Sequence, residues 1–209
     1  ISKDAITKVK EYAEQGYVHA VSLDLSKYFD TLNHEMLLNI LRRNVKDERV
    51  IQWIKRYLKS GVMENGVVME TEEGSPQGGN ISPLLANIYL NEFDQEFQER
   101  RVAFVRYADD IVLLAKSDRA AKRLLESSTK YLEGKLKLKV NQEKSRVVSV
   151  FAIRNFKFLG FTLGKNGKGI YVRVHGKSWK KMKSKLKELS SRRSVQSIRP
   201  SLEKIKVYM

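Results

Sequence analysis

The stretch Val102–Ala115 reads VAFVRYADDIVLLA and places two adjacent carboxylates, Asp109 and Asp110, between two apolar runs. Apolar runs of this length, rich in Val and aromatic residues, predict a β-hairpin with the acidic pair at its tip. Asp is a poor strand residue, and two neighbouring carboxylates resist joint ionisation. A divalent cation would relieve this repulsion, so the hairpin tip is a candidate metal site.

A third carboxylate, Asp24, closes another apolar run, Val18–Leu23. If the two strands are neighbours, Asp24 meets Asp109 and Asp110 at the rim of one sheet. Hard ions such as Mg²⁺ prefer carboxylate oxygen and leave positions open for phosphate and water. Two such ions, roughly 3.5–4 Å apart, can activate an attacking 3′-hydroxyl and stabilise a leaving pyrophosphate. Alternatively, Asp24 begins an ordinary turn and the acidic pair forms another.

The overall charge favours a polyanionic partner. The 209 residues include 40 Lys plus Arg against 24 Asp plus Glu, a formal net charge of +16, although a merely soluble basic protein would show the same excess. The absence of cysteine excludes disulfides, thiolate zinc sites and a Cys nucleophile. No apolar stretch approaches the roughly 20 residues that span a bilayer, and no signal peptide is visible. We therefore expect no membrane partner and a cytoplasmic location.

Helical and strand patterns alternate along the chain and predict an α+β domain. Asn33, Asp47 and Asp118 are expected to cap three helices. Ser82-Pro83 is expected to begin another, in which Leu85, Tyr89, Phe93 and Phe97 recur at four-residue spacing. The strand patterns outside the acidic hairpin cover residues 17–23, 61–73, 147–151 and 156–163.

The character of the chain changes near residue 175, where we place a domain boundary. From His175 to the end there are eleven Lys or Arg against Glu188 and Glu203. Apolar residues at helical spacing predict helices with a basic outer face, which would bind phosphates without reading sequence. A solvated charged face is the alternative. Because the chain begins without Met and ends inside a helical pattern, we expect a fragment of a longer protein.

Five segments, in the same order and at similar spacings, resemble the catalytic motifs of reverse transcriptases in the form typical of group II intron-encoded proteins. The resemblance covers nearly all of residues 4–190. Ala108 is the usual residue of the group II branch, whereas Asn80 replaces the commoner Pro. The five segments are Ser22–Asp30 (SLDLSKYFD), Ser75–Ile88 (SPQGGNISPLLANI), Phe104–Asp110 (FVRYADD), Leu138–Ser145 (LKVNQEKS) and Phe158–Phe161 (FLGF).

This resemblance implies a right-hand polymerase fold with an antiparallel palm sheet, partial fingers and the start of an α-helical thumb. Fingers and palm would occupy residues 1–174, with the palm core at 17–45 and 74–163 and parts of the fingers at 1–16 and 46–73. The basic segment 175–209 takes the place of the thumb, which clamps the duplex.

Carried over residue by residue, the resemblance makes Asp24, Asp109 and Asp110 the metal-binding catalytic triad, with the Leu25 carbonyl as a further ligand. The implied cofactor is Mg²⁺, as two ions, with Mn²⁺ as a substitute. Lys144 matches a lysine proposed to protonate the leaving pyrophosphate, and its charge would help even without proton transfer. In a chain so rich in lysine, a solvated surface charge is the alternative.

The resemblance also implies contacts to nucleotide, template and primer. Phe29 matches the aromatic beneath the incoming sugar, where a ring clashes with a 2′-hydroxyl; core packing is the alternative. Gln77 and Gly78 match the loop that lines the dNTP pocket, although an ordinary loop would have the same composition. The residues expected to contact template and primer are Arg106, Tyr107, Phe158, Leu159, Gly160, Lys177, Lys180 and Lys181, of which Phe158–Gly160 resemble the primer grip and could equally form a core strand.

The implied function is that of an RNA-directed DNA polymerase within a group II intron-encoded maturase, which binds intron RNA for splicing and retrohoming. Its partners would be the intron RNA, an RNA template with a DNA primer, and dNTPs in a bacterial cytoplasm, with a homodimer as a further option. One alternative is a structured-RNA-binding splicing module with little polymerase activity in this fragment. Another is a retron, diversity-generating or CRISPR-associated reverse transcriptase, which shares the chemistry.

Overall fold

One antiparallel sheet of four strands lies at the centre of the fold. The computed structural model describes residues 2–60, 62–64, 67–69, 72–76, 79–190 and 206. The strands are β1 (His19–Leu23), β2 (Val62–Glu64), β3 (Val67–Met69), β4 (Ala103–Tyr107), β5 (Asp110–Ala115), β6 (Arg146–Ser149), β7 (Phe161–Asn166) and β8 (Gly169–Val174). The central sheet has the order β4-β5-β1-β6, while β2-β3 and β7-β8 form separate hairpins.

Helices connect these strands and confirm the predicted α+β class. They are α1 (Ser2–Glu14), α2 (His34–Asn44), α3 (Glu48–Lys59), α4 (Ser82–Glu99), α5 (Asp118–Lys130) and α6 (Gly176–Leu189), with a 3-10 turn at Tyr28–Asp30 and a π-helical turn at Tyr131–Lys135. None of the described helices is both long and apolar enough to cross a bilayer.

Three of the four predicted helix starts are confirmed, and one is wrong by a residue. Asn33 and Asp47 each accept a backbone hydrogen bond of 2.9 Å at the start of α2 and α3, and α4 begins at Ser82. The cap of α5 is Ser117 rather than Asp118, because Ser117 is extended and its hydroxyl accepts from Ala120 N at 3.2 Å. Asp118 instead lies in the first turn, where its negative charge interacts favourably with the positive end of the helix dipole.

The strand predicted over residues 156–163 begins later, at Phe161. Leu159 and Gly160 have φ angles of 49° and 88° and reverse the chain, so that Phe158 and Phe161 exchange backbone hydrogen bonds of 2.9 Å. Two successive positive φ angles are typical of a type I′ hairpin turn. The following strand, β8, has no counterpart among the predicted strands, because its side chains are mostly exposed or half-buried and give no clear apolar run.

Both faces of the central sheet are buried, so neighbouring residues of a strand enter different cores. One face contributes Leu23 and Leu113 to a core shared with α2, α4 and α5. The other contributes Ala20 and Leu114 to a core shared with α1 and the β7-β8 hairpin. Burial on both sides explains why β1 and β5 are continuously apolar rather than alternating.

Helix α4 supplies much of the first core through its predicted apolar face. Leu85, Tyr89, Phe93 and Phe97 are all at most 1% exposed. The rings of Phe93 and Phe97 stack at 4.3 Å between centroids, and Phe104 of β4 meets Phe93 edge-on at 6.2 Å. This packing anchors α4 on the β4-β5 hairpin.

Truncation of Phe93 tests the importance of this packing. We expect Phe93→Ala to lower the free energy of unfolding by about 3–5 kcal/mol, because a large cavity forms in a closed core. Trp53, which is 66% exposed on α3, is the matched aromatic control, and Trp53→Ala should change stability by about 0.5 kcal/mol or less. Urea denaturation of both variants measures the difference; equal losses would contradict the prediction.

Candidate active site

The pairing of β1 with β5 brings the predicted acidic residues to one rim of the sheet. Leu23 pairs with Ile111, and continuing this register by one residue sets Asp24 opposite Asp110. Across β5, Tyr107 pairs with Asp110 and closes the β4-β5 hairpin, which leaves Ala108 and Asp109 as its two-residue turn. The three carboxylates therefore lie on adjacent strand ends, as the strand patterns predict.

The turn that holds Asp109 has an unusual backbone. Ala108 has a φ of 54°, and the left-handed conformation costs a residue with a Cβ about 1–2 kcal/mol. A tight two-residue hairpin demands positive φ in its turn. The Ala108 carbonyl accepts a hydrogen bond of 2.9 Å from Arg106 Nη1, which supports this conformation.

The acidic rim is electrostatically unfavourable without a cation. Burial raises the pKa of Asp110 above its usual value of 3.8, and the charges of Asp109 and Asp24 raise it further, while Lys157 acts in the opposite direction. In the described part of the chain, no three His, Asp or Glu side chains are gathered tightly enough to hold a metal ion as they stand. The donor chemistry nevertheless fits a hard divalent cation, because mutually repelling carboxylates meet at the sheet rim and one of them, Asp109, lines an open cleft.

The fourth resembling segment wraps around Asp24. The Asp24 N–H donates to Ser145 Oγ at 3.0 Å, and its carbonyl accepts from Asn141 N at 2.8 Å. Lys144 from the same turn places Nζ 3.5 Å from Asp24 Oδ2. The backbone of Asp24 is thus fixed on both sides, while Lys144 remains 69% exposed and reaches the carboxylate from solvent.

A cleft of about 690 Å³ opens beside the acidic rim. Leu25, Phe29 and Asp109 line it together with Pro76 and Asn80 of the preceding loop. The partly buried Phe29 ring also packs against the first core. The Phe29 carbonyl accepts a hydrogen bond of 2.7 Å from Ser75 N, which holds the backbone of the loop before α4 next to Phe29. The predicted pocket residues Gln77 and Gly78 lie outside the described residues.

Three hydroxyl groups hold that loop on the start of α4. Ser82 Oγ lies 2.7 Å from both Tyr57 Oη and Ser75 Oγ, and it donates to the Pro76 carbonyl at 2.9 Å. A Cβ on Gly79 would lie 1.7 Å from Tyr57 Oη. Only glycine therefore fits at this position with the hydroxyl network intact.

The segment that resembles the primer grip is a tight turn joined to the first turn of α6. Phe158 is 2% exposed, so its side chain belongs to the core and the turn presents Leu159-Gly160. His175 N donates to the Gly160 carbonyl at 2.9 Å, while His175 Nδ1 accepts from Lys177 N at 3.1 Å and caps α6. The buried His175 thus connects the grip turn to the basic helix.

Helix α6 presents its cations to solvent. Lys177, Lys180 and Lys181 are exposed, and no residue of this helix is buried within the described chain. Trp179 of the predicted apolar stripe is 46% exposed and lies beneath the Lys183 ammonium, 5.3 Å from the ring centroid. Residues 191–205, which include most of the second predicted basic helix, lie outside the described residues.

Arg106 and Tyr107, which are both expected beside template and primer, differ in exposure. Its side chain is only 12% exposed and pairs with Asp94 of α4, whereas Tyr107 remains 39% exposed. The sequence patterns point to neither Asp94 nor Lys157, since contacts between elements leave no periodic signal. For Asp94 the sequence offers only an indirect hint: it directly follows Phe93 of the predicted apolar face, and a carboxylate close to a core requires a partner.

Comparison with known proteins defines the class. The family described as Reverse transcriptase (RNA-dependent DNA polymerase) matches residues 2–163, so the chain belongs to the reverse transcriptase family. Apo telomerase from Candida tropicalis shares the fold, with a TM-score of 0.64 at 15% identity over 89% of this chain and 39% of that chain. This likeness confirms the predicted partial reverse transcriptase fold.

The relatives include group II intron proteins, which confirms the resemblance. Protein YkfC of Escherichia coli (strain K12) is 36% identical over 67% of this chain and 45% of that protein. The group II intron-encoded protein LtrA of Lactococcus lactis subsp. cremoris is 24% identical over 89% of this chain and 40% of that protein. The chain spans less than half the length of these relatives.

The charge on Asp110 predicts a pH-dependent effect on stability. Its folded-state pKa lies above the unfolded value near 3.8, so folding weakens as the pH rises between the two values and the carboxyl ionises. We expect Asp110→Asn to stabilise the metal-free protein near neutral pH and to lose this advantage in acid. Thermal unfolding in a chelator measures the effect, with the exposed Glu143→Gln as control. A variant no more stable than wild type near neutral pH would refute it.

Proposed function

We propose that this chain is the catalytic part of an RNA-directed DNA polymerase of the group II intron type. The meeting of Asp24, Asp109 and Asp110 at one rim, beside a cleft lined by Phe29, is the observation that supports it most. The three carboxylates and the Leu25 carbonyl would hold two Mg²⁺ ions, or Mn²⁺ in their place. When bound, these ions would activate the primer 3′-hydroxyl and neutralise charge on the leaving pyrophosphate.

The remaining residues of the cleft orient the nucleotide. The Phe29 ring would lie beneath the sugar of the incoming dNTP and exclude a 2′-hydroxyl, and Gln77 and Gly78 would border the base. Lys144 would place a positive charge, and an available proton, near the pyrophosphate; its position beside Asp24 supports this role.

Template and primer would lie along the sheet rim and the basic helix. Tyr107 and the Phe158–Gly160 turn would contact the primer end, the latter through Leu159-Gly160 since the Phe158 ring is buried. Lys177, Lys180 and Lys181 would neutralise phosphates of the duplex. In this proposal residues 1–174 are fingers and palm, and α6 begins the thumb at the boundary near residue 175.

The group II relatives support a proposal for the biological setting. We propose that the protein binds its intron RNA, assists splicing and copies the intron during retrohoming in a bacterial cytoplasm, with a homodimer as one assembly. The name of LtrA and the basic surface of α6 support this. The second candidate function is an RNA-binding splicing module with little polymerase activity, and the lysine-rich surface of α6 supports RNA binding in either case.

Primer extension separates the two functions. We expect the chain to add dNTPs weakly to a DNA primer on an RNA template with Mg²⁺, and Asp110→Asn to abolish addition because a metal-binding carboxylate is lost. Both proteins should bind RNA, with affinity that falls steeply as salt rises. Tight RNA binding without addition in Mg²⁺ or Mn²⁺ would favour the splicing module. Equal activity of the variant would contradict the metal role.

The proposed position of the Phe29 ring beneath the sugar of the incoming dNTP predicts a change of substrate preference in a variant. We expect Phe29→Val to increase incorporation of ribonucleotides relative to deoxynucleotides, because the smaller side chain leaves room for the 2′-hydroxyl. Single-nucleotide incorporation kinetics with matched dNTP and rNTP measure the ratio, and Trp53→Phe, at an exposed aromatic residue outside the cleft lining, serves as control. An unchanged ratio would assign Phe29 to the core alone.

A further inference from the structure

Helix α4 carries a carboxylate, Asp94, that the polymerase chemistry above does not use. The Arg106 guanidinium binds it in a fork: Nε lies 2.8 Å from Oδ1, and Nη2 lies 2.5 Å from Oδ2. The two side chains are 12% and 24% exposed, respectively. A two-pronged, largely desolvated pair of this kind fixes orientation as well as distance.

The third nitrogen of the guanidinium reaches the catalytic turn. Arg106 Nη1 donates to Asn87 Oδ1 and to the Ala108 carbonyl, each at 2.9 Å. Ala108 is the left-handed residue directly before Asp109. One side chain therefore joins two positions of α4, two turns apart, to the backbone that carries the acidic pair.

The same part of α4 holds the opposite side of the cleft. Tyr28 Oη donates to the Ala86 carbonyl at 2.5 Å, next to Asn87 in the chain. Burial raises the pKa of Tyr28 and keeps its hydroxyl protonated as a donor. Tyr28 precedes Phe29, so α4 is a common frame for the aromatic wall and the acidic turn.

We propose that Asp94, Asn87 and Arg106 are positioning residues, which hold the Ala108 carbonyl and thereby set the place of the Asp109 and Asp110 carboxylates relative to Asp24. The expected loss of kcat rests on the proposed polymerase function, whereas the expected loosening of the Ala108-Asp109 turn does not. A displacement of about 1 Å at a reacting centre lowers rates on the order of 100-fold. The repulsion within the acidic rim supplies the force that would displace an unsupported turn.

Asp94→Asn is the central variant, because it keeps the shape of the side chain and removes its charge. We expect kcat for nucleotide addition to fall on the order of tenfold to 100-fold, with KM for dNTP and affinity for template-primer little changed. Arg106→Lys keeps the charge but loses the two-pronged contact with Asp94, and we expect it to lower kcat to a similar extent. The double variant should be no worse than the worse single variant, since the two residues act as a unit.

Hydrogen exchange of residues 108–111, followed by mass spectrometry without substrate, gives a readout independent of activity. We expect faster exchange in Asp94→Asn and Arg106→Lys. Arg100→Gln is the matched control, because Arg100 pairs with Glu96 on the same helix at an exposed position, and it should change neither exchange nor kcat.

Two results would overturn the proposal. One is exchange of residues 108–111 in Asp94→Asn at the same rate as in the control. The other is a kcat for Asp94→Asn that equals the wild-type value at temperatures well below the melting temperature of the variant, because the loss would then come from partial unfolding. A wild-type chain that adds no nucleotide would refute the polymerase function instead. The exchange experiment would then still decide whether Asp94 and Arg106 hold the turn.

Discussion

The antiparallel register between β1 and β5 is the constraint on which the candidate site depends. Both strands bury both faces, and a slip of one residue would exchange the side chains of the two cores. The apolar residues therefore impose the register, and the register forces Asp24 and Asp110 together. Burial raises the pKa of Asp110, and the charges of Asp109 and Asp24 raise it further, so ionisation of this rim is electrostatically unfavourable. The site is thus created by core packing and against the preference of its own charged groups.

The surroundings stabilise the rim without occupying it. Asp24 is held through its backbone by Asn141 and Ser145, and the Asp109 turn is held through the Ala108 carbonyl by Arg106. Neither arrangement uses a carboxylate oxygen, and the Lys144 ammonium that lies 3.5 Å from Asp24 Oδ2 is exposed to solvent. Backbone anchoring of this kind fixes the position of an acid without occupying its side chain.

The sequence predicts what depends on local chemistry. The caps at Asn33 and Asp47, the apolar face of α4 and the acidic hairpin all depend on residues a few positions apart, and each is confirmed. The contacts that fix the site join distant positions, such as Asp24 with Ser145, 121 residues away. Arg106 shows the same limit: its place in the motif is visible, but its direction depends on Asp94 of another element.

The distribution of charge explains how a strongly basic protein keeps an acidic site. Lys144 reaches Asp24 only at 3.5 Å from an exposed position, so solvent screens the pair and a divalent cation can displace it. The cations of α6 lie on a surface helix beyond the grip turn. Those cations can therefore attract a polyanion over roughly 10 Å without adding positive charge to the acidic rim. A basic residue held firmly between the three acids would neutralise their charge and lower their affinity for a metal ion.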